Sequence, residues 1–171
     1  MKLHQRTQWI ATCALLLCLM LILGYVENLI PVAPGIPGIK LGLSNSVLVM
    51  SLYTLGIPTS LLLMVLKVLL SGILFSGVSA MMYAFAGGLL SLVCMMVLSR
   101  LKGIHPVVVS AVGGMAHNVG QVALAMIILN TPKLIFYMGV LTVVGLVTGI
   151  VTGTAANAVM KHLQKLGWKF R

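Results

Sequence analysis

The sequence has no aspartate and a single glutamate, Glu27, in 171 residues. Paired-carboxylate acid–base catalysis needs two acidic side chains and is therefore excluded. Most magnesium sites are excluded too, because such hard cations are held by carboxylate oxygens. Charge of either sign is scarce: charged residues make up 7% of the chain, where soluble domains carry about 25%. Hydrophobic residues make up 60% and the mean hydropathy is +1.16. A water-facing surface cannot be built from what remains, so the bilayer is the expected solvent. Cys13, Cys18 and Cys94 lie inside apolar runs, with no Cys-x-x-Cys pair and no Cys/His cluster of zinc spacing. They read as small packing residues, and neither a metal nor a cofactor is expected. No P-loop pattern occurs, so the chain is not expected to hydrolyse ATP or to be an enzyme.

The formal net charge of +10 invites a nucleic-acid reading, but the basic residues sit in short clusters between long apolar runs. No basic face with interleaved aromatics exists, and nucleic acid is not an expected partner. The start MKLHQRTQW and the run after it resemble a signal peptide. That run is long, lacks an A-x-A site and leads into further apolar sequence, so it reads as a retained helix.

The expected fold is an all-α integral membrane domain spanning 1–171, with helices at about 8–30, 41–55, 59–75, 80–99, 106–129 and 134–160. Pro31, Pro34 and Pro37 interrupt the first connection, and Gly56-Ile57-Pro58, Ser76-Gly77-Val78-Ser79, Arg100–Gly103 and Asn130–Lys133 mark the others. Lys2, Arg6, Arg100, Lys102, Lys161, Lys165, Lys169 and Arg171 fall on one side of these spans, and only Lys40 and Lys133 on the other. The positive-inside rule then predicts both termini in the cytoplasm, a basic cytoplasmic tail over 161–171 with Trp168 at the headgroups, and the cell membrane of a prokaryote as the location. Small residues recur four apart at Gly145, Gly149 and Gly153, at Ala84 and Gly88, and at Ala116 and Gly120. That spacing lets helix backbones approach closely, within one subunit or against a partner. Ala11, Ala14 and Cys18 on the first helix form the face expected to dock a membrane partner.

Ionisable and amide side chains in lipid need a partner or a wet cavity. Here they gather at Glu27-Asn28, at Lys40, Ser44 and Asn45, at Lys67, and at His117, Asn118 and Gln121. The predicted topology brings most of them to the outer half of the membrane, with His117 and Gln121 one turn apart on one helix face. Two readings fit: a structural Glu27–Lys67 pair with helix-bridging amides, or a polar pocket for a ligand. The pocket reading implies a carboxylate, a phosphate or a carbonyl-rich heteroaromatic ring, since cations outnumber the single anion and the amides both donate and accept. Tyr25, Tyr53, Tyr83 and Phe85 are either packing residues or platforms for such a ring.

The block ENLIPVAPGIPGIKLGLSNSVLVMSLYTLG, with Lys67 and the later GGMAHNVGQ, resembles the family described both as Gx transporter and as heptaprenyl diphosphate synthase component I. That family in turn resembles the substrate-binding S components of energy-coupling factor (ECF) transporters. The resemblance implies a six-helix subunit holding a vitamin-like solute near the outer face, working with a membrane coupling subunit and two cytoplasmic ATPases. It places Glu27, Asn28, Lys40, Asn45, Lys67, Tyr83, His117, Asn118 and Gln121 in or around the substrate site. A flavin is the first candidate and an isoprenoid or quinone precursor the second. S components dock through small residues four apart on helix one; here Leu15 follows Ala11 and Cys18 follows Ala14, an imperfect version. The synthase description implies aspartate-rich magnesium motifs that this sequence does not contain. Two further readings are a standalone secondary carrier and a non-catalytic scaffold for a prenyl synthase or redox assembly.

Overall fold

The computed structural model describes residues 3–30, 40 and 42–165. The proline-rich stretch 31–39 and the final residues 166–171, including Trp168, lie outside the described residues. Among the described residues every regular element is helical: α1 (Leu3–Leu29), α2 (Asn45–Thr54), α3 (Ile57–Ser71), α4 (Gly77–Ser99), α5 (Pro106–Ile128) and α6 (Ile135–Lys165). A π-helical turn covers Gly72–Ser76 and a 3-10 turn covers Pro132–Leu134.

Among the described residues four helical runs are long and apolar enough to cross a membrane: Arg6–Leu29, Ile57–Ser99, Pro106–Ile128 and Pro132–Lys165. The second, 43 residues long, folds back on itself. Gly88 lies against Met64 and Gly72 against Met81, so each contact pairs positions whose midpoint falls near Gly77. That midpoint is the point where the backbone turns, with φ 80 at Gly77, a conformation most side chains resist. Two more hairpins follow, reversing at Gly103 and at Asn130, both of positive φ. α4 packs antiparallel on α5 and α5 on α6.

α2 has ten residues, or about 15 Å of helix against a hydrocarbon core of about 30 Å. The expected second helix over 41–55 is therefore shortened: Gly42 takes φ 83 and Leu43-Ser44 form a turn, so the helix begins at Asn45. α3 starts earlier than expected, at Ile57, because Pro58 sits in its first turn, where a missing N–H breaks no helical bond. α6 runs on through Lys161 to Lys165, so the basic tail begins as helix.

The α4–α5–α6 layer is joined backbone to backbone. A methyl group built on Gly149 would lie 2.7 Å from the Cα of Ala111, and one on Gly120 would lie 2.9 Å from the carbonyl oxygen of Ala86. Gly145 and Gly153 meet α5 in the same way. These small residues thus serve packing within the subunit. α1 joins the core through Leu16 and Met20, while Ala11, Ala14, Leu15, Cys18 and Ile22 stay exposed on its other side.

Candidate functional site

The polar residues predicted from sequence converge. Glu27, Lys40, Ser44, Asn45, Lys67, His117, Asn118 and Gln121 are all buried, Lys67 at 7% exposure and Glu27 at 2%. They come from α1, the connection before α2, the start of α2, the far part of α3 and the middle of α5. Lys67 is ten residues into α3 and His117 eleven into α5, or roughly 15 Å from the end of the bundle that carries Arg100. The cluster therefore occupies the half of the bundle remote from Arg100.

Two sets of bonds fasten Lys40 and the Leu43-Ser44 turn to it. Glu27 accepts hydrogen bonds from the Leu43 N–H and, at 3.4 Å, from the Ser44 hydroxyl. Gln121 clasps the Lys40 backbone on both sides: its Oε1 accepts from the Lys40 N–H at 3.2 Å and its Nε2 donates to the Lys40 carbonyl at 2.6 Å. The same Nε2 donates to Asn118 Oδ1 at 2.7 Å, and Asn118 in turn donates to the Leu141 carbonyl of α6. α6 is thereby linked to the connection through two amides. Lys40 Nζ donates to Ser76 Oγ at 2.6 Å and lies 5.4 Å from the centre of the Phe75 ring, a cation–π arrangement.

The expected Glu27–Lys67 contact pair takes a different form. Among the described residues the carboxylate bonds to the connection's backbone and to Ser44, while Lys67 and Lys40 act on it as nearby charges. Two cations thus share one anion. Lys40, outside the spanning helices, has its pKa lowered to about 8, first by burial and then by the charge of Lys67, against the opposing pull of Glu27.

Among the described residues, two buried polar atoms of the cluster, Asn45 Nδ2 and His117 Nδ1, have no well-formed hydrogen bond. Both residues flank Gly42: a methyl group there would lie 3.0 Å from Asn45 Nδ2 and 3.3 Å from His117 Cδ2. Gly87 of α4 closes the other side of the imidazole, 3.0 Å from Nδ1 by the same construction. The Gly87 carbonyl lies near the ring without closing a well-aligned hydrogen bond. Leaving a buried donor or acceptor unmade costs about 1–3 kcal/mol, so a group that bonds either atom is favoured here.

Other candidates fall elsewhere. Asn28 is exposed and donates to the Phe75 carbonyl at 3.3 Å. Tyr83 packs in an apolar cluster with Val122, Ala125, Leu134 and Leu141. Tyr25 meets Phe75 edge-on at 5.5 Å, Phe85 faces outward, and Tyr53 sits at the Arg100 end of the bundle. Phe75, Ser76, Gly42 and Gly87 escaped the sequence reading. Only the Gly87-Gly88 pair inside a helix carried a signal, since adjacent glycines in a helix mark a close approach.

The fold and this cluster define a class: a helical membrane protein with a buried, cation-rich polar centre bonded to Lys40 and the Leu43-Ser44 turn. More particularly, the family described as heptaprenyl diphosphate synthase component I matches residues 16–159, and the chain belongs to that family. No curated protein and no solved structure matches it.

Proposed function

We propose that this chain is the substrate-binding membrane subunit of an ECF-type transporter for a small anionic or carbonyl-rich solute. One observation carries the reading: a buried centre with two lysines to one carboxylate and two polar atoms unpaired among the described residues, Asn45 Nδ2 and His117 Nδ1, beside Gly42. Burying such groups for structure alone is costly. A ligand bearing acceptor oxygens would balance the charge and bond the Asn45 amide. Six membrane-crossing passes with both termini in the cytoplasm of a prokaryotic cell fit this reading, with α2 as a short second pass. So does a division of labour in which a membrane coupling subunit and two ATPases supply the energy and this chain catalyses nothing. A flavin is the first ligand to try and an isoprenoid or quinone precursor the second.

The family description favours a second reading, a non-catalytic scaffold for a prenyl diphosphate synthase. Mass spectrometry of small molecules that co-purify in detergent, with flavin titration followed by tryptophan fluorescence, separates the two. Saturable binding lost in Lys67→Ala and His117→Ala is the expected result. Affinity for an anion should also fall as pH rises through about 8 and Lys40 loses its charge. No bound molecule, and no response to vitamins or prenyl phosphates, would leave the scaffold.

A further inference from the structure

At the end of the bundle opposite the polar centre, two open cavities meet at Tyr53. One, of about 280 Å³, is lined by Tyr53, His105, Asn157, Lys161 and Gln164 above Met160. The other, of about 320 Å³, adds Ser99 and Arg100. Among the described residues no acidic side chain lines either cavity. Glu27 is the chain's only acidic side chain, and it lies in the remote half.

The hydrogen-bond pattern is more specific than the charge. His105 is the N-cap of α5, and its Nδ1 accepts the Val107 N–H at 3.3 Å. A neutral imidazole accepting through Nδ1 carries its proton on Nε2. That Nε2 lies 3.5 Å from Asn157 Nδ2, itself a donor. With the amide turned so that Oδ1 accepts from His105 Nε2, Asn157 keeps its Nδ2 donors for an oxyanion, and Lys161 lines the same cavity. The same end of the bundle exposes Leu101, Val108 and Val159, apolar surface on which acyl chains can lie.

We infer that this cavity binds the phosphate of an anionic glycerophospholipid, with Asn157, held by His105, donating through Nδ2 to a phosphate oxygen. Lys161 supplies the charge, and Tyr53 and Gln164 are the polar groups for the headgroup's hydroxyls. Basic pockets between helices at a membrane surface are suited to such headgroups. The site is independent of the polar centre and of whatever solute that centre holds.

Native mass spectrometry of the intact protein released from phosphatidylglycerol nanodiscs, compared with phosphatidylcholine nanodiscs, tests it. One retained phosphatidylglycerol is expected. Lys161→Gln and Asn157→Leu should each weaken retention by about tenfold, the worth of one charge-assisted bond. Lys165→Gln, which removes the same charge one turn away, should leave retention unchanged, and unaltered melting of all three variants would exclude unfolding. Equal loss in Lys165→Gln and Lys161→Gln would overturn the site in favour of diffuse attraction. Equal retention of the two lipids would overturn it as well. Displacement by millimolar glycerol phosphate, with no preference between lipids, would overturn the lipid assignment and make a soluble phosphate ester the occupant.

Discussion

The two sides of this bundle are held together by different means. In α4–α5–α6, glycines bring backbones into contact: Gly149 meets Ala111, Gly120 meets Ala86 and Gly87 meets His117. In α1, α2 and the connection between them, a few bulky side chains such as Leu16, Met20, Val47 and Leu48 fill the interface. Hydrogen bonds from Glu27 and Gln121 then fix the connection. Lipid provides little hydrophobic drive for helix association, so close backbone contact is the stronger device and side-chain hydrogen bonds the weaker. The polar centre lies on the seam, with His117, Asn118 and Gln121 on the rigid side and Glu27, Lys40 and Asn45 on the other.

The largest expected effect lies in the glycine-packed layer. Gly149→Leu drives a side chain into the Ala111 and Ser110 backbone, which cannot yield as a side chain can. A loss of about 3 kcal/mol or more is expected, seen as a fall in Tm on the order of 10 °C. A variant that melts like the parent would show that the layer is looser than its geometry implies.

Glu27→Gln comes next and probes the other side. Glutamine keeps an acceptor for the Leu43 N–H but removes the charge shared by Lys40 and Lys67. About 2 kcal/mol should be lost, less than for a contact ion pair. Adding Lys67→Met should restore most of it by removing a cation that has lost its anion, while abolishing anion binding. If the double variant is no more stable than the single one, Lys67 does not depend on Glu27.

Much of this was legible in the sequence, and the reasons differ by feature. The hairpins were marked by Gly77, Gly103 and the Asn130 turn, because chain reversal has few residue solutions. The polar centre was visible because each of its ionisable residues is an anomaly in an apolar helix. What Glu27 bonds was hidden. A carboxylate that grips a backbone N–H leaves no trace in its partner's identity, and Leu43 carries no sign of it. The shortness of α2 was hidden as well, since nothing in the composition of Leu41–Leu55 reports the φ of Gly42.

Gly42→Ala gives a smaller change in stability and a larger one in binding. The left-handed backbone costs an alanine about 1–2 kcal/mol, and the added methyl crowds Asn45 and His117. Because the strain falls on the two unpaired groups, affinity for the solute should drop at least tenfold while Tm falls by only a few degrees. An unchanged affinity would move the solute away from this corner.

The smallest expected effect on stability lies on the outer face of α1. Ala14 is exposed on the outer face of α1, so Ala14→Leu should alter the stability of the isolated subunit by no more than about 0.5 kcal/mol. If α1 docks a coupling subunit through Ala11, Ala14 and Cys18, the same change should abolish ATP-driven uptake by the reconstituted assembly while solute binding persists. Uptake that survives Ala14→Leu would mean that this face meets only lipid. The side of the bundle held by side chains would then have no partner to act upon it, and the difference between the two sides would be one of packing alone.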